Sequence, residues 1–310
     1  MKEWVPGVIG FIDSYDRGGA ALGTYVIEGS DNSYAIIDPS TKKAAQQVLD
    51  FWNRTSQPKE LAYIILTHAH LDHYGGVPFL KKKVPSAQLV VHEKGASILQ
   101  EGKQALRERF PYSEKGRFKK KGLELSPDLE VKEETLELGD KQLLLQESGG
   151  HCEDHLLVMA ISKDTNALFL GDETPIYPNN PYSFFMDSTG DYEKHQKTLK
   201  LLENVSAEVV LPAHIPPIFN QGSDLFEAAQ EMRFSLDHVK KTIFDTLMEK
   251  GGEKEWFIQE RVFKTLKDFH WYEPYFSWGV GPNTIHRILK NLEVEGEARF
   301  DTAKQRWVPE

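Results

Sequence analysis

Residues 67–76 read THAHLDHYGG, and this stretch decides how the chain is understood. It packs three histidines and an aspartate into the six positions from His68 to His73, directly after the apolar run AYIIL at 62–66. Imidazole and carboxylate together are the ligand set preferred by zinc, iron and manganese rather than by calcium. In a tight turn after a strand, His68 and His70 can reach one ion while Asp72 and His73 reach another. Two ions about 3.5–4 Å apart then need a bridging carboxylate and further histidines.

The rest of the chain supplies them in the same manner. YAIID ends at Asp38, LLLQESGGH at His151, ALFLGD at Asp172 and EVVLPAH at His214. Short runs rich in Ile, Leu and Val, bounded by Gly or Pro, predict buried strands. Each of these strands delivers a ligand-type side chain to one edge. A single Asp or His at such a place usually caps a turn or satisfies a core group, and that is the expectation for His92, His195, His238, His270 and His286, which lie outside the pattern. Helical periodicity is predicted over 40–55, opening with a Ser/Thr cap, and over 189–205. The charged stretch 101–122, interrupted by Pro and Gly, is expected to make an excursion over the sheet edge.

The character changes after residue 222. Helix periodicity runs through 223–251 and EWFIQERVFKTLK, followed by the aromatic run FHWYEPYFSW at 269–278. A helix with Pro at its start and a two-stranded ribbon through Gly296 complete the chain, an order that resembles a winged-helix module. Two domains are expected, 1–222 and 223–310.

Composition sets the bounds. The 310 residues suffice for one large domain or two of ordinary size. Apolar residues make up 40% and charged residues 27%, as in soluble globular proteins. No apolar run of about 18 residues occurs, so no membrane span is expected. The stretch MKEWVPGVIGFIDSYDRGG lacks the apolar core of a secretory signal. Cys152 is the single cysteine, which excludes an internal disulfide framework and fits a reducing cytoplasm. A formal net charge of -10 exerts no global pull toward nucleic acid.

Taken together and in this order, IIDPS, HAHLDH, GGHCEDH, LFLGD and LPAH resemble the motifs of the metallo-β-lactamase-fold hydrolase superfamily, over residues 8–220. The resemblance implies an α/β fold, the αββα metallo-β-lactamase sandwich of two mixed sheets with helices outside, here with a C-terminal helical, winged-helix-like extension. It also implies two divalent metal ions, zinc favoured over iron or manganese. By the same resemblance His68, His70 and His151 hold the first ion, Asp72, His73 and His214 hold the second, and Asp172 bridges them. Asp38 supports the ligands from behind, and Asp154 and His155 orient ligands or contact substrate. Cys152 is expected to be a packed residue, because no base is placed to activate it.

Such a site implies hydrolysis. Water held between two divalent ions loses a proton near neutral pH and becomes the nucleophile, and the ions polarise the bond under attack. Asp72 is the expected catalytic carboxylate, orienting the nucleophile and shuttling its proton. Three readings of the substrate compete. The first is a small ester, foremost an acyl thioester, with Tyr177, Tyr182, Phe184, Phe185 and Met186 as an apolar wall. In that reading Lys81, Lys82, Lys83 and the run KGRFKKKG can meet a carrier's phosphates. The layout is similar to the thioesterase of bacterial quinolone signalling. The second is a single-strand-preferring endoribonuclease, since a branch of the superfamily carries a winged-helix tail. Beyond residue 222 thirteen Lys and Arg stand against sixteen Asp and Glu, which disfavours nucleic acid. The third is a regulatory protein with an occupied metal site. A β-lactam substrate is not expected without an export signal. The expected partners are a small ester or thioester, no membrane, and a homodimer as one admissible assembly.

Overall fold

The computed structural model describes residues 1–13, 21–54, 59–109, 125–173, 184–215, 222–267 and 281–310. Its first sheet runs β1 (Lys2–Val5), β2 (Val8–Asp13), β3 (Ala21–Glu28), β4 (Ser33–Ile37), β5 (Glu60–Ile65), β6 (Gln88–His92) and β7 (Leu129–Val131), in that spatial order. The first four strands are antiparallel, and β4 to β7 are parallel. The second sheet is built from β8 (Glu133–Leu138), β9 (Lys141–Glu147), β10 (Leu156–Ile161), β11 (Asn166–Gly171) and β12 (Val209–Pro212), antiparallel except for the parallel pair β11 and β12. The chain then crosses back, and β13 (His214–Ile215) pairs with the start of β3, carrying His214 from one sheet to the other.

Alternation of side chains along the strands makes this a layered structure. Ala35, Ile37, Ile65 and Val90 of the first sheet face Leu143, Leu145, Val158, Phe169 and Leu211 of the second, forming the core between the sheets. Tyr25 lies in that core, 5.4 Å from Phe169, and its hydroxyl donates to Pro212 O at 2.6 Å. The opposite face of the first sheet, with Tyr34, Ile36, Ile64 and Leu89, is covered by α1 (Lys42–Asn53), the short α2 (Leu71–Tyr74), α3 (Val77–Lys83) and α4 (Glu93–Glu101). Helix α5 (Lys103–Arg109) follows α4 directly. In α1 the buried Ala44, Ala45, Val48, Leu49 and Trp52 repeat at helical spacing, and the Thr41 hydroxyl accepts from Ala44 N as the expected cap. The remainder of the stretch 101–122 falls outside the described residues.

The second sheet is covered by α6 (Tyr192–Leu202), capped by Asp191, and by α7 (Gly222–Lys250). Helix α7 belongs to two cores. Leu225, Ala229 and Met232 pack with Leu199 and Leu202 onto Leu157, Leu168, Leu170 and Val210. From Leu236 through Val239, Ile243 and Leu247 the same helix packs with α8 (Glu255–Lys267) and α9 (Pro282–Val294) around Trp307. The ribbon of β14 (Ala298–Asp301) and β15 (Arg306–Pro309) closes that core. Gly296 links α9 to the ribbon rather than turning it, and the turn is made by residues 302–305. The aromatic run 269–278 lies outside the described residues. No helix among the described residues is long and apolar enough to cross a membrane.

Candidate metal centre

The ends of β4, β5, β9, β11 and β12 meet at one edge of the sandwich, and the side chains that follow them converge there. Three overlapping groups have ligand atoms within 4.8 Å of one another: His68, His70, His151 and Cys152; His68, His73 and Asp172; Asp72, His73 and His214. Asp172 stands among them. Its Oδ2 is 3.3 Å from His214 Nε2, 3.6 Å from His151 Nε2 and 3.9 Å from His68 Nε2, and its Oδ1 is 3.5 Å from His73 Nε2. Asp72 lies 3.7 Å from His214 and 4.0 Å from His73, with 37% of its side chain exposed.

Hydrogen bonds behind the cluster decide which ring nitrogen each histidine presents. His73 Nδ1 donates to Asp38 Oδ2 at 2.9 Å, and His70 Nε2 donates to Asp187 Oδ2 at 3.0 Å. His151 Nδ1 donates to the Phe185 carbonyl at 2.7 Å. Thr67 Oγ1 donates to Asp38 Oδ2 and so accepts from His68 Nδ1, at 3.1 Å. Each ring therefore has one nitrogen hydrogen-bonded outward and turns the other inward: Nε2 of His68, His73 and His151, and Nδ1 of His70. This is how protein ligands are oriented toward a cation. His68 Nε2, His73 Nε2 and Asp172 Oδ1 are buried with no hydrogen-bond partner, which is rare in native interiors.

The electrostatics agree. Burial, helped by neighbouring imidazoles, pulls His68 well below its usual value and His151 down to about 4, so both rings are neutral. Burial also acts on His73, but Asp172 and Asp38 outweigh it and push that ring well up. Burial works against ionised Asp172, yet His214 and His73 hold it well below the usual carboxylate range. Around His73 and Asp172 the field thus favours a positive charge. The donor set, the orphaned buried nitrogens and this field fit divalent ions of the zinc, iron or manganese kind.

The remaining residues singled out in the sequence fall around this cluster. Asp38, held at φ 48°, accepts from Thr67 N at 2.8 Å as well as from His73. Asp154 Oδ2 accepts from Ala69 N at 2.8 Å, fixing the turn between His68 and His70. His155 offers no free nitrogen: Nδ1 meets Ser148 Oγ at 2.8 Å, and Nε2 accepts from Asp172 N at 3.0 Å. The Cys152 thiol is fully buried and burial pushes it far up, so it remains a thiol rather than a thiolate nucleophile. Tyr177, Tyr182 and KGRFKKKG lie outside the described residues. Of the apolar wall, Phe185 is half-buried with its ring 5.7 Å from His151. Phe184 and Met186 depart from that expectation, because both are buried in the core of the C-terminal helices. Lys81 is engaged by Ala87 O and Asp128, each at 2.8 Å.

Three further residues matter here to which the motifs do not point. Asp187 orients His70, and Arg109, 3% exposed, binds Asp154 at 2.6 Å and Asp187 at 3.3 Å. Burial opposes ionised Asp187, but Arg109 and His70 hold it far below the carboxylate range. Glu173 accepts from Gly150 N, His151 N and Ser148 Oγ through Oε1 and from His195 Nδ1 through Oε2 at 2.5 Å. Glu173 follows Asp172 in sequence, and that adjacency was the available signal. Asp187 and Arg109 carry none.

Residues 24–214 match the metallo-beta-lactamase superfamily. The chain belongs to that superfamily. Its members are generally hydrolases. Among curated relatives, the YobT protein of Bacillus subtilis is 31% identical over 87 residues, 28% of this chain and 36% of that one, so the match spans about a third of that relative. Glyoxylase B2 of Dictyostelium discoideum is 26% identical over 239 residues, covering 70% of this chain and 77% of its own. A hydroxyacylglutathione hydrolase of Vibrio parahaemolyticus is 38% identical over 66 residues, 21% of this chain and 24% of its own. Among solved structures, a metallo-beta-lactamase family protein of Thermus thermophilus superposes with a TM-score of 0.72 at 17% identity. It covers 99% of this chain and 100% of its own, so the likeness of fold includes the C-terminal helices.

Proposed function

We propose that the protein is a dinuclear metal-dependent hydrolase of small ester-type substrates, foremost acyl thioesters. The observation that carries this reading is that His68, His73 and His151 turn Nε2 onto Asp172 while each Nδ1 is hydrogen-bonded on the far side. His68, His70 and His151 would hold one ion, Asp72, His73 and His214 the other, with Asp172 shared and zinc the favoured metal. When bound, the ions supply Lewis-acid polarisation of a carbonyl and lower the pKa of water at the site.

The chain's own residues do the rest. Asp72, open to solvent at the mouth of the cluster, takes a proton on its carboxylate and passes it to bulk water. Asp38, Asp154, Asp187 and His155 keep the rings and Asp172 in place through the bonds described. Phe185, beside His151, offers an apolar surface to the acyl portion. A thiolate departs without prior protonation, which suits a cluster lacking an evident general acid. The similarity to a glyoxylase and to a hydroxyacylglutathione hydrolase supports a thioester. In this reading residues 1–222 are the catalytic unit, and 223–310 support the site rather than bind RNA.

The test is hydrolysis of a panel of acyl thioesters, lactones, phosphodiesters and short RNAs by the metal-loaded protein, with and without a chelator. Chelator-sensitive turnover of thioesters above the rest is expected. RNA cleavage with steep salt dependence, and no thioester turnover, would replace this reading with the nuclease.

A further inference from the structure

Residues 184–190 run between the histidine cluster and the C-terminal helices, and both sides grip them. Toward the cluster, the Phe185 carbonyl takes the His151 Nδ1 proton, Asp187 takes the His70 Nε2 proton, and Asp187 N donates to His151 O at 2.9 Å. Away from the cluster, Phe184 and Met186 are buried in the same core as Ile285, Ile288 and Leu289 of α9. Met186 N donates to Thr284 Oγ1 at 3.1 Å, and Arg287 Nε donates to the Gly190 carbonyl. From 184 to 187 the duties thus alternate, odd residues setting ligand rings and even residues seated on the tail.

Gly190 shows how closely the segment lies against the ligand turn. A Cβ there would stand 2.6 Å from Gly150 O and 2.7 Å from His151 O. A shift of the segment therefore moves the acceptors of two imidazoles at once, and no small side chain can pad the gap. Thr284 is fully buried, so loss of its hydroxyl would leave Met186 N as a buried donor without a partner.

We infer that Thr284 and Arg287 are positioning residues for the His68, His70 and His151 ion site, acting through residues 184–190 without touching the ligands. The inference rests on the reading of those histidines as metal ligands. It gives the C-terminal helices a defined duty, which is to keep the tautomer and tilt of His70 and His151. Arg109 binds Asp187 from the other side, and Ser188 N donates to Arg109 O at 3.1 Å. Loss of one α9 bond therefore loosens the segment and does not release it.

The test uses full-length protein carrying Thr284→Val, Thr284→Ser or Arg287→Met, beside the wild type. Cobalt(II) titration with zinc competition gives a dissociation constant for each site, and melting of the metal-free protein reports its fold. Thr284→Val and Arg287→Met are expected to weaken the three-histidine site about tenfold, the lower end for partners that orient ligands. Thr284→Ser, which keeps the hydroxyl, should restore wild-type affinity. Wild-type affinity in both Thr284→Val and Arg287→Met, or equal weakening at the two sites, would overturn the inference. If Thr284→Val does not fold, Arg287→Met decides alone. A folded wild type that binds no cobalt or zinc would instead remove the reading of the ligands.

Discussion

Asp187 Oδ2 stands 3.0 Å from His70 Nε2, across 117 residues of chain, and this bond turns His70 Nδ1 toward His151 Nε2 at 3.1 Å. Asp187→Asn is a sharp probe of it. The amide oxygen can still accept from Thr189 N and Gly190 N, as Asp187 Oδ1 does, but an amide NH₂ facing His70 cannot take its proton. Metal affinity of the three-histidine site is expected to fall about 10–100-fold. Titration with a competing chelator checks it, and unchanged affinity would deny Asp187 this role.

Gly171 precedes Asp172 with φ 53°, and a Cβ there would lie 2.4 Å from His155 Nε2 and 2.8 Å from Thr67 Oγ1. Gly171→Ala combines a left-handed backbone, about 1–2 kcal/mol, with overpacking of about 1–3 kcal/mol. Denaturant unfolding should show a loss of at least about 2 kcal/mol. A midpoint equal to that of the wild type would mean that the turn into Asp172 is looser than described.

Arg109 compensates two buried carboxylates, Asp154 and Asp187. Arg109→Met leaves both uncompensated and should cost about 3–5 kcal/mol near neutral pH. Burial works against both carboxylates, but Arg109 outweighs it and holds them below their ordinary range. Their stabilisation is therefore complete above about pH 4 and is lost as pH falls through the depressed values. The stability gap between wild type and Arg109→Met should narrow on acidification, as the unpaired carboxylates protonate in the variant first. Urea unfolding across that range measures it, and a gap that widens would contradict the assignment.

Helix α7 lends Leu225, Ala229 and Met232 to the second sheet before it enters the tail core. Deleting residues 223–310 strips cover from Leu157, Leu168, Leu170 and Val210. The truncated chain should aggregate or bind a hydrophobic dye strongly. A monodisperse fragment 1–222 with native near-UV dichroism would show that the tail is dispensable for folding.

The cluster was legible because its chemistry is local. Three histidines and an aspartate in six positions have few structural uses, and Asp38, His151, Asp172 and His214 each close an apolar run. The bonds that orient those side chains were hidden for the opposite reason. Asp187 follows no strand, and Arg109 sits in the charged stretch 101–122, read as an excursion over the sheet edge. Only the packing of residues 184–190 between α9 and the ligand turn brings them to His70 and Asp154. Periodicity likewise announced α7 as a helix without saying that its two halves cover different cores, because a 3.6-residue repeat marks an apolar face and not its partner.

The central claim is that seven side chains hold two ions and share Asp172 between them. Metal content of purified wild type, Asp172→Ala and His214→Ala tests it most directly. The wild type is expected to carry two ions per chain, His214→Ala to lose chiefly one, and Asp172→Ala to lose hold of both. Two ions per chain retained in Asp172→Ala at the wild-type level would contradict it.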